Sequence, residues 1–392
     1  MKKSVFAAAL AATVFTVPAA LAQQAPELRI GFINTFTGSG AVIGAHQKNG
    51  FDLAIEALGN KVGGLPTKVS YGDDQQKVEV GLQVADRFIN QDKVHFIAGP
   101  IWSNILLAIV EPAFKANVFV ISTNAGASPM AGEKCNPLFF STSWNNDTTP
   151  EAMGQLMNEE KLDSVFMIAP NYQAGKDMLA GFQRMYKGKV SGQILFKPGA
   201  TEFQAELSEI RAKKPPAVFV FAPGGMGIAF IKQWNASGIG KEVKLFSVFT
   251  VDHLTIPAIG EAAIGSYSTN FWDHESKNPA TQKFIAAYTA KYKSFPSYFA
   301  AQAYDAPLLI DSGLKATKGN LDDKKALVLA MRKANFDSVR GPFTYNINHS
   351  PIQNYYKQTV VAGPDGKPII RTDGVVFANH KDSYYRKCKM PY

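Results

Sequence analysis

Short, wholly apolar runs alternate with amphipathic stretches along this chain, and that rhythm restricts its fold more than any single motif does. From residue 28 the runs are LRIGFI, TKVSYG, VHFIAG and VFVIST. Between them Gly44–Leu58, Lys77–Asn90 and Ser103–Lys115 carry apolar residues at three- and four-residue spacing, the period of a helix with one buried face. Strands apolar on both faces and alternating with helices predict parallel sheets covered on each side. After FFSTSW the pattern restarts with SVFMIA, GQILFK, AVFVFA, KLFSVF and GSYSTN. Helical spacing then dominates from Asn278 to Ala334, followed by the strand-like YYKQTVVAG and a turn at Gly363–Gly366. At 392 residues the chain exceeds the ~250–300 that one core usually encloses. The expectation is an α/β protein of two doubly wound, Rossmann-like lobes. Ligands of such sheets bind beyond the carboxyl ends of the strands, where loops enter helix N-termini. AGPIWS, ISTNAG, APNYQAG, APGGMG and SVFTVD all stand at such ends.

The N-terminus bears on the compartment. Lys2 and Lys3, an uncharged apolar stretch and the closing Ala20, Leu21 and Ala22 have the layout of a secretory leader, residues 1–22, cleaved on export to a periplasm. Gln23 follows where a lipid anchor needs Cys, and no later run reaches the ~18 apolar residues of a membrane span. The formal charge is +9, with the basic residues scattered among acids. Without a basic stripe interleaved with aromatics, nucleic acid is not an expected partner; a mild positive field favours small anions. Cys135 and Cys388 are the only cysteines. In an oxidising compartment an even pair predicts one disulfide, two lone thiols being the alternative. Neither has a partner at metal-ligand spacing, so no metal is expected.

Several motifs imitate other functions. GSGAVIG, with Gly38, Gly40 and Gly44, and the later Asp73 and Asp74 resemble a dinucleotide fingerprint. The glycines begin too far behind the strand, however, and the acids come too late for a ribose contact; no cofactor is expected. APGGMG lacks the third glycine and the lysine of a phosphate loop, and reads as close backbone approach to a ligand or neighbouring loop. His46, His95, His253, His274, His349 and His380 each stand alone, and no nucleophile has a positioned base. His253, beside a strand end, is the one candidate, and catalysis is not expected. The aromatics Trp102, Trp144, Tyr172, Phe249, Phe271, Trp272 and Tyr304 gather at strand ends and junctions, where lining a cleft competes with core packing.

In order and spacing, the segments IGFINTFTGSGAVIGAHQKNGFDLAIE, YGDDQQKVEVGLQVADRFI, HFIAGPIWS, VFVISTNAGASP, NYQAGKD and VRGPFTYN are similar to one family. The chain resembles the type I periplasmic substrate-binding proteins of ABC transporters, the group of the leucine/isoleucine/valine-binding proteins. STSWNND and APNYQAGKDMLAGF resemble its aromatic-compound-binding branch. The resemblance implies lobes joined by three crossover segments, near residues 144–147, 270–274 and 354–358. Residues 27–145 and 273–355 would form the N-terminal lobe, and 146–272 and 356–392 the C-terminal lobe. A monomer would close on its ligand and dock on permease subunits of the inner membrane; a ligand-sensing subunit for a membrane receptor is the alternative.

Carried over by position, Ser103 and the loop of Asn124 and Ala125 would grip a carboxylate, with Trp102, Tyr172 and Tyr304 around the cleft. Relatives that take α-amino acids meet the ammonium with a hydroxyl residue where this chain has Gly126 and a glutamate where it has Phe249. The resemblance therefore implies a carboxylate without an ammonium, of the benzoate or phenylpropenoate type. A short branched or keto acid comes second, and Asp252 or Asp273 standing in for the missing acid would restore an amino acid.

Overall fold

The computed structural model describes residues 26–391; the expected leader, residues 1–22, lies outside the described residues. The first lobe is built from β1 (Leu28–Asn34), α1 (Ala41–Ala57), β2 (Lys61–Val62), β3 (Leu65–Asp73), α2 (Val78–Asn90), β4 (Phe96–Gly99), α3 (Ser103–Lys115), β5 (Phe119–Ser122), α4 (Ser128–Ala131) and β6 (Phe139–Ser141). Its sheet runs β2-β3-β1-β4-β5-β6, parallel except for β2. β4 and β5 are buried along their whole length, as unbroken apolar runs require.

The second lobe follows with α5 (Thr148–Glu159), β7 (Ser164–Pro170), α6 (Gln173–Met185), β8 (Lys189–Phe196), α7 (Gln204–Lys213), β9 (Ala217–Phe221), α8 (Gly225–Ser237), β10 (Lys244–Val248), α9 (Ile256–Ile259) and β11 (Tyr267–Asn270). Its parallel core has the order β11-β10-β9-β7-β8. The chain then returns to the first lobe as α10 (Pro279–Tyr292), α11 (Tyr298–Ala316) and α12 (Lys324–Met331); α10 and α11 pack on α1. After β12 (Thr344–Tyr345), the long β13 (Pro351–Ala362) and β14 (Pro368–His380) add an antiparallel hairpin beside β11.

Three segments cross between the lobes. Residues 142–147 form the first, and the chain from Asn270 to α10 the second. The third crosses earlier than 354–358. Ser141 donates its N–H to the His349 carbonyl (3.2 Å) and Tyr345 donates its hydroxyl to the Ser141 carbonyl (3.0 Å), so residues 345–349 still lie on the first lobe. Tyr356 is already paired with Asn270 and Val375 in the second sheet. β13 starts at Pro351, five residues before Tyr356, and carries the chain across as a strand.

Beyond β14 the chain comes back once more. The Tyr384 hydroxyl donates to Asp147 (3.0 Å) and accepts from Arg184 (2.8 Å), and Cys388 is bonded to Cys135 in the loop between α4 and β6. A tail that continues from the second sheet is thus fastened to the first lobe, a fourth link beside the three crossings.

Two outcomes follow from these ties. Reducing the disulfide, or replacing both cysteines by serine, is expected to cost about 2–4 kcal/mol of stability, read as a lower urea midpoint with far-ultraviolet dichroism unchanged. His349, buried at the third crossing, stacks on Phe140 (4.0 Å) and has Nδ1 2.8 Å from the Phe139 carbonyl. A carbonyl only accepts, so Nδ1 carries the proton, and the partnerless Nε2 is bare. Burial lowers the His349 pKa from 6.5 to about 4. Below pH 6.5 the unfolded chain takes up this proton before the folded one does, so the contribution is whole above 6.5 and is lost as pH falls towards 4. His349→Gln is expected to flatten that part of the stability profile, measured by urea unfolding at pH 7, 5.5 and 4.5.

Candidate functional site

Five strand ends surround one small cavity between the lobes. The loop after β4 brings Ile101, Trp102 and Ser103, and the loop after β5 brings Asn124 and Ala125. Opposite them stand Tyr172 and Ala174 after β7, Phe221 and Pro223 at the end of β9, and Phe249 after β10. Trp144 and Asn146 of the first crossing, Met178 of α6 and Phe299 of α11 complete the wall. The free space inside is about 10 Å³, room for about one water and far below the ~300–1,000 Å³ of small-molecule sites, so a ligand enters only as the lobes part. Among the described residues no acidic or basic side chain lines it. A larger hollow of about 470 Å³, between Arg211, Lys214 and Glu242, opens at the amino ends of β9 and β10, away from where helix N-termini converge.

The Asn124, Asn146 and Ser103 side chains of the cavity belong to fixed networks. Asn124 donates to the Ile101 carbonyl (2.9 Å) and its Oδ1 accepts from Gln302 (2.8 Å). Ser103 Oγ accepts from Asn146 Nδ2 (3.0 Å). The Trp102 indole donates to Thr35 (2.7 Å), whose hydroxyl donates to buried Asp74 (2.5 Å); burial pushes that carboxyl up to about 6. A Cβ on Gly40 would stand 2.8 Å from the Trp102 ring, so this part of GSGAVIG makes room for the indole. α3 and α6, one from each lobe, start beside the cavity behind Trp102 and Tyr172, and no side chain caps either start. The first N–H groups of a helix have no partner within it, and they carry a partial positive charge.

The apolar side is a cage of rings. Phe249 stacks on Trp144 (4.3 Å) and meets Phe221 and Tyr298 edge-on at 6.1 and 5.5 Å. Its φ of +54° is left-handed, a conformation costing a bulky residue about 1–3 kcal/mol that the surrounding contacts must hold. Trp102 meets Tyr172 edge-on across the lobes at 5.7 Å. Gly225, in APGGMG, has its would-be Cβ 3.1 Å from the Ser39 carbonyl of the first lobe, the close backbone approach read from that motif.

Residues 27–367 match the family described as periplasmic binding protein. The chain belongs to the periplasmic binding protein family. A solute binding protein of an ABC transporter from R. palustris, in complex with benzoate, is 30% identical with a TM-score of 0.88, over 93% of this chain and 100% of the other. A solute binding protein of an ABC transporter from Rhodopseudomonas palustris BisB5, in complex with 3,4-dihydroxy benzoic acid, is 27% identical with a TM-score of 0.86, over 91% and 99%. The Leu/Ile/Val-binding protein homolog 6 of Brucella melitensis is 26% identical over 369 residues, 91% of this chain and 93% of its own. Membership implies a periplasmic location.

In this periplasmic binding protein Trp102, Ser103, Asn124, Ala125, Tyr172 and Phe249 come together at the cavity. Tyr304 does not. It packs on Phe284 (5.0 Å) in a separate hollow with Asn278 and Val339. Five residues beyond Phe299 on the same helix, it points about 140° away. Gly126 is not in the lining either: a Cβ there would lie 2.5 Å from the Trp144 carbonyl and 2.9 Å from the Asn146 nitrogen. Its missing side chain is explained by the backbone of the first crossing passing over it.

Neither alternative acid reaches the site. Asp252 is buried and accepts from the backbone of Leu254 (2.8 Å) and Thr255 (2.9 Å) and from the Tyr298 hydroxyl, while Asp273 accepts from the backbone of Glu275 (3.1 Å). His253 lies among Trp272, His274 and Phe295, outside the lining. Phe221, Phe299, Met178 and Asn146 escaped the sequence reading; the first three lie in runs indistinguishable from core. Replacing Gly126 by serine is expected to overpack the crossing and cost about 1–3 kcal/mol, measured by urea unfolding, without creating leucine binding in a titration.

Proposed function

We propose that the chain is the solute-binding component of an ABC importer and captures a small aromatic carboxylate, of the benzoate type, by closing its lobes around it. The observation that carries this reading is an aromatic cavity without a charged side chain, towards which the uncapped starts of α3 and α6 converge. N–H groups at a helix start favour an anion by roughly 0.3–2 kcal/mol. An α-ammonium in the same space would lack a counter-charge, at a cost of several kcal/mol; ~4 kcal/mol is already about a thousandfold in affinity. A planar ring against Trp144, Phe249 and Tyr172 would gain ~0.5–1.5 kcal/mol per aromatic pair beyond burial. Relatives in complex with benzoate and 3,4-dihydroxy benzoic acid support the same class. In this reading the protein, exported through its cleaved leader, works as a monomer, does no chemistry on the ligand, needs no cofactor and delivers to permease subunits.

A thermal-shift screen of benzoates, cinnamates, keto acids and amino acids tests the proposal. A ligand at 100 times its dissociation constant stabilises by ~2.7 kcal/mol, and aromatic acids are expected to produce that shift. Stabilisation by leucine or phenylalanine with none by aromatic acids would overturn it. Phe249→Glu is expected to weaken aromatic-acid binding at least tenfold in calorimetric titration, through repulsion and lost stacking.

A further inference from the structure

Asn146 sits where the two lobes and the first crossing meet, and the direction of its amide is determined twice. Its Oδ1 accepts from the Trp144 indole (3.3 Å), a group that can only donate. Its Nδ2 spends both hydrogens, one on Asp177 Oδ2 (2.9 Å) and one on Ser103 Oγ (3.0 Å). Ser103 belongs to the first lobe and Asp177, on α6, to the second. The same Asp177 oxygen accepts the backbone N–H of Ser128 in the first lobe (3.2 Å), and its other oxygen accepts from Gln173 (2.8 Å). Ser103 is buried against the cavity, and with one of its two lone pairs taken by Asn146, its proton and a single lone pair are left for the cavity.

We propose that Asp177 is a positioning residue that biases the hydrogen-bond polarity of the ligand site: through Asn146 it takes up a Ser103 lone pair and favours that hydroxyl as a donor, and it does so once the lobes have closed. The inference rests on the carboxylate reading above and deepens it. When the second lobe swings away, α6 takes Asp177 with it, the Asn146 amide is held by the Trp144 indole alone and is no longer pinned against Ser103, whose second lone pair can then face inward. Closure therefore selects a ligand that presents acceptors only, such as a carboxylate, over one of the same shape that also donates.

Benzoate and benzamide are such a pair, and the readout is the ratio of their affinities by calorimetric titration. Wild type is expected to prefer benzoate by at least about a hundredfold. Asp177→Asn and Ser103→Ala should each lower the ratio by about 10- to 100-fold, the range of one hydrogen bond to a charged group. The double variant should lower it no further than either single one, because both act through one hydroxyl. Asp177→Ser carries the same expectation where Asp177→Asn does not fold. An unchanged ratio, an equal loss for both ligands, or additive effects in the double variant would overturn the relay while leaving the carboxylate reading intact. Wild-type protein that binds benzamide as well as benzoate, or binds no carboxylate at all, would overturn both.

Discussion

An anion taken out of water has to be met by donors already in place, because a packed interior cannot reorient around it as water does. For the carboxylate proposed for this protein, those donors would be neutral. The cavity wall holds no lysine, arginine or histidine, and the groups aimed at it are a serine hydroxyl and the open starts of two helices. Such an arrangement works only if the helix starts meet at one point, and that requires two sheets whose carboxyl ends face each other. The double winding, the crossings at the base and the loops at the strand ends all follow from that geometry.

Closure is built from aromatic contacts across the lobes rather than from ion pairs. Trp102 meets Tyr172, and Phe249 meets Tyr298 of the opposite lobe, whose hydroxyl reaches back to Asp252. Phe249 is also the strained residue of the site. Its left-handed backbone aims the ring into the cage, and the rings around it hold that conformation. A side chain where specificity and closure coincide is thus fixed by packing alone, which leaves the charge balance of the cavity to the helix starts and Ser103.

The fold was legible because buried parallel strands leave an unmistakable trace: β4, β5, β7 and β9 are apolar nearly without interruption. β14 escaped for the opposite reason. It lies at the outside of the sheet, its residues are largely exposed, and polar and apolar side chains mix along PIIRTDGVVFANH. Within the site, the strand pattern located the loops and the aromatics Trp102, Tyr172 and Phe249 at strand ends, and the family resemblance singled out Ser103 and Asn124 within them. Residues supplied by a helix face could not. Tyr304 and Phe299 are both aromatic and five positions apart, and only the docking of α11 on α1 decides which one faces the cleft. Gly126 was assigned a chemical meaning, whereas the structure gives it a steric one.

The bond between Cys135 and Cys388 spans 253 residues, and the sequence contains no other cysteine. Cys135 must therefore remain a free thiol while all the strands of the second sheet are made after it. When its partner arrives there is no wrong choice within one chain, so the pairing needs no isomerase to correct it. Among copies of this chain, the competing partner is a thiol on a neighbour. Oxidation of the chain is consequently a contest between one distant intramolecular closure, whose rate does not depend on chain concentration, and collisions between half-finished neighbours, whose rate does.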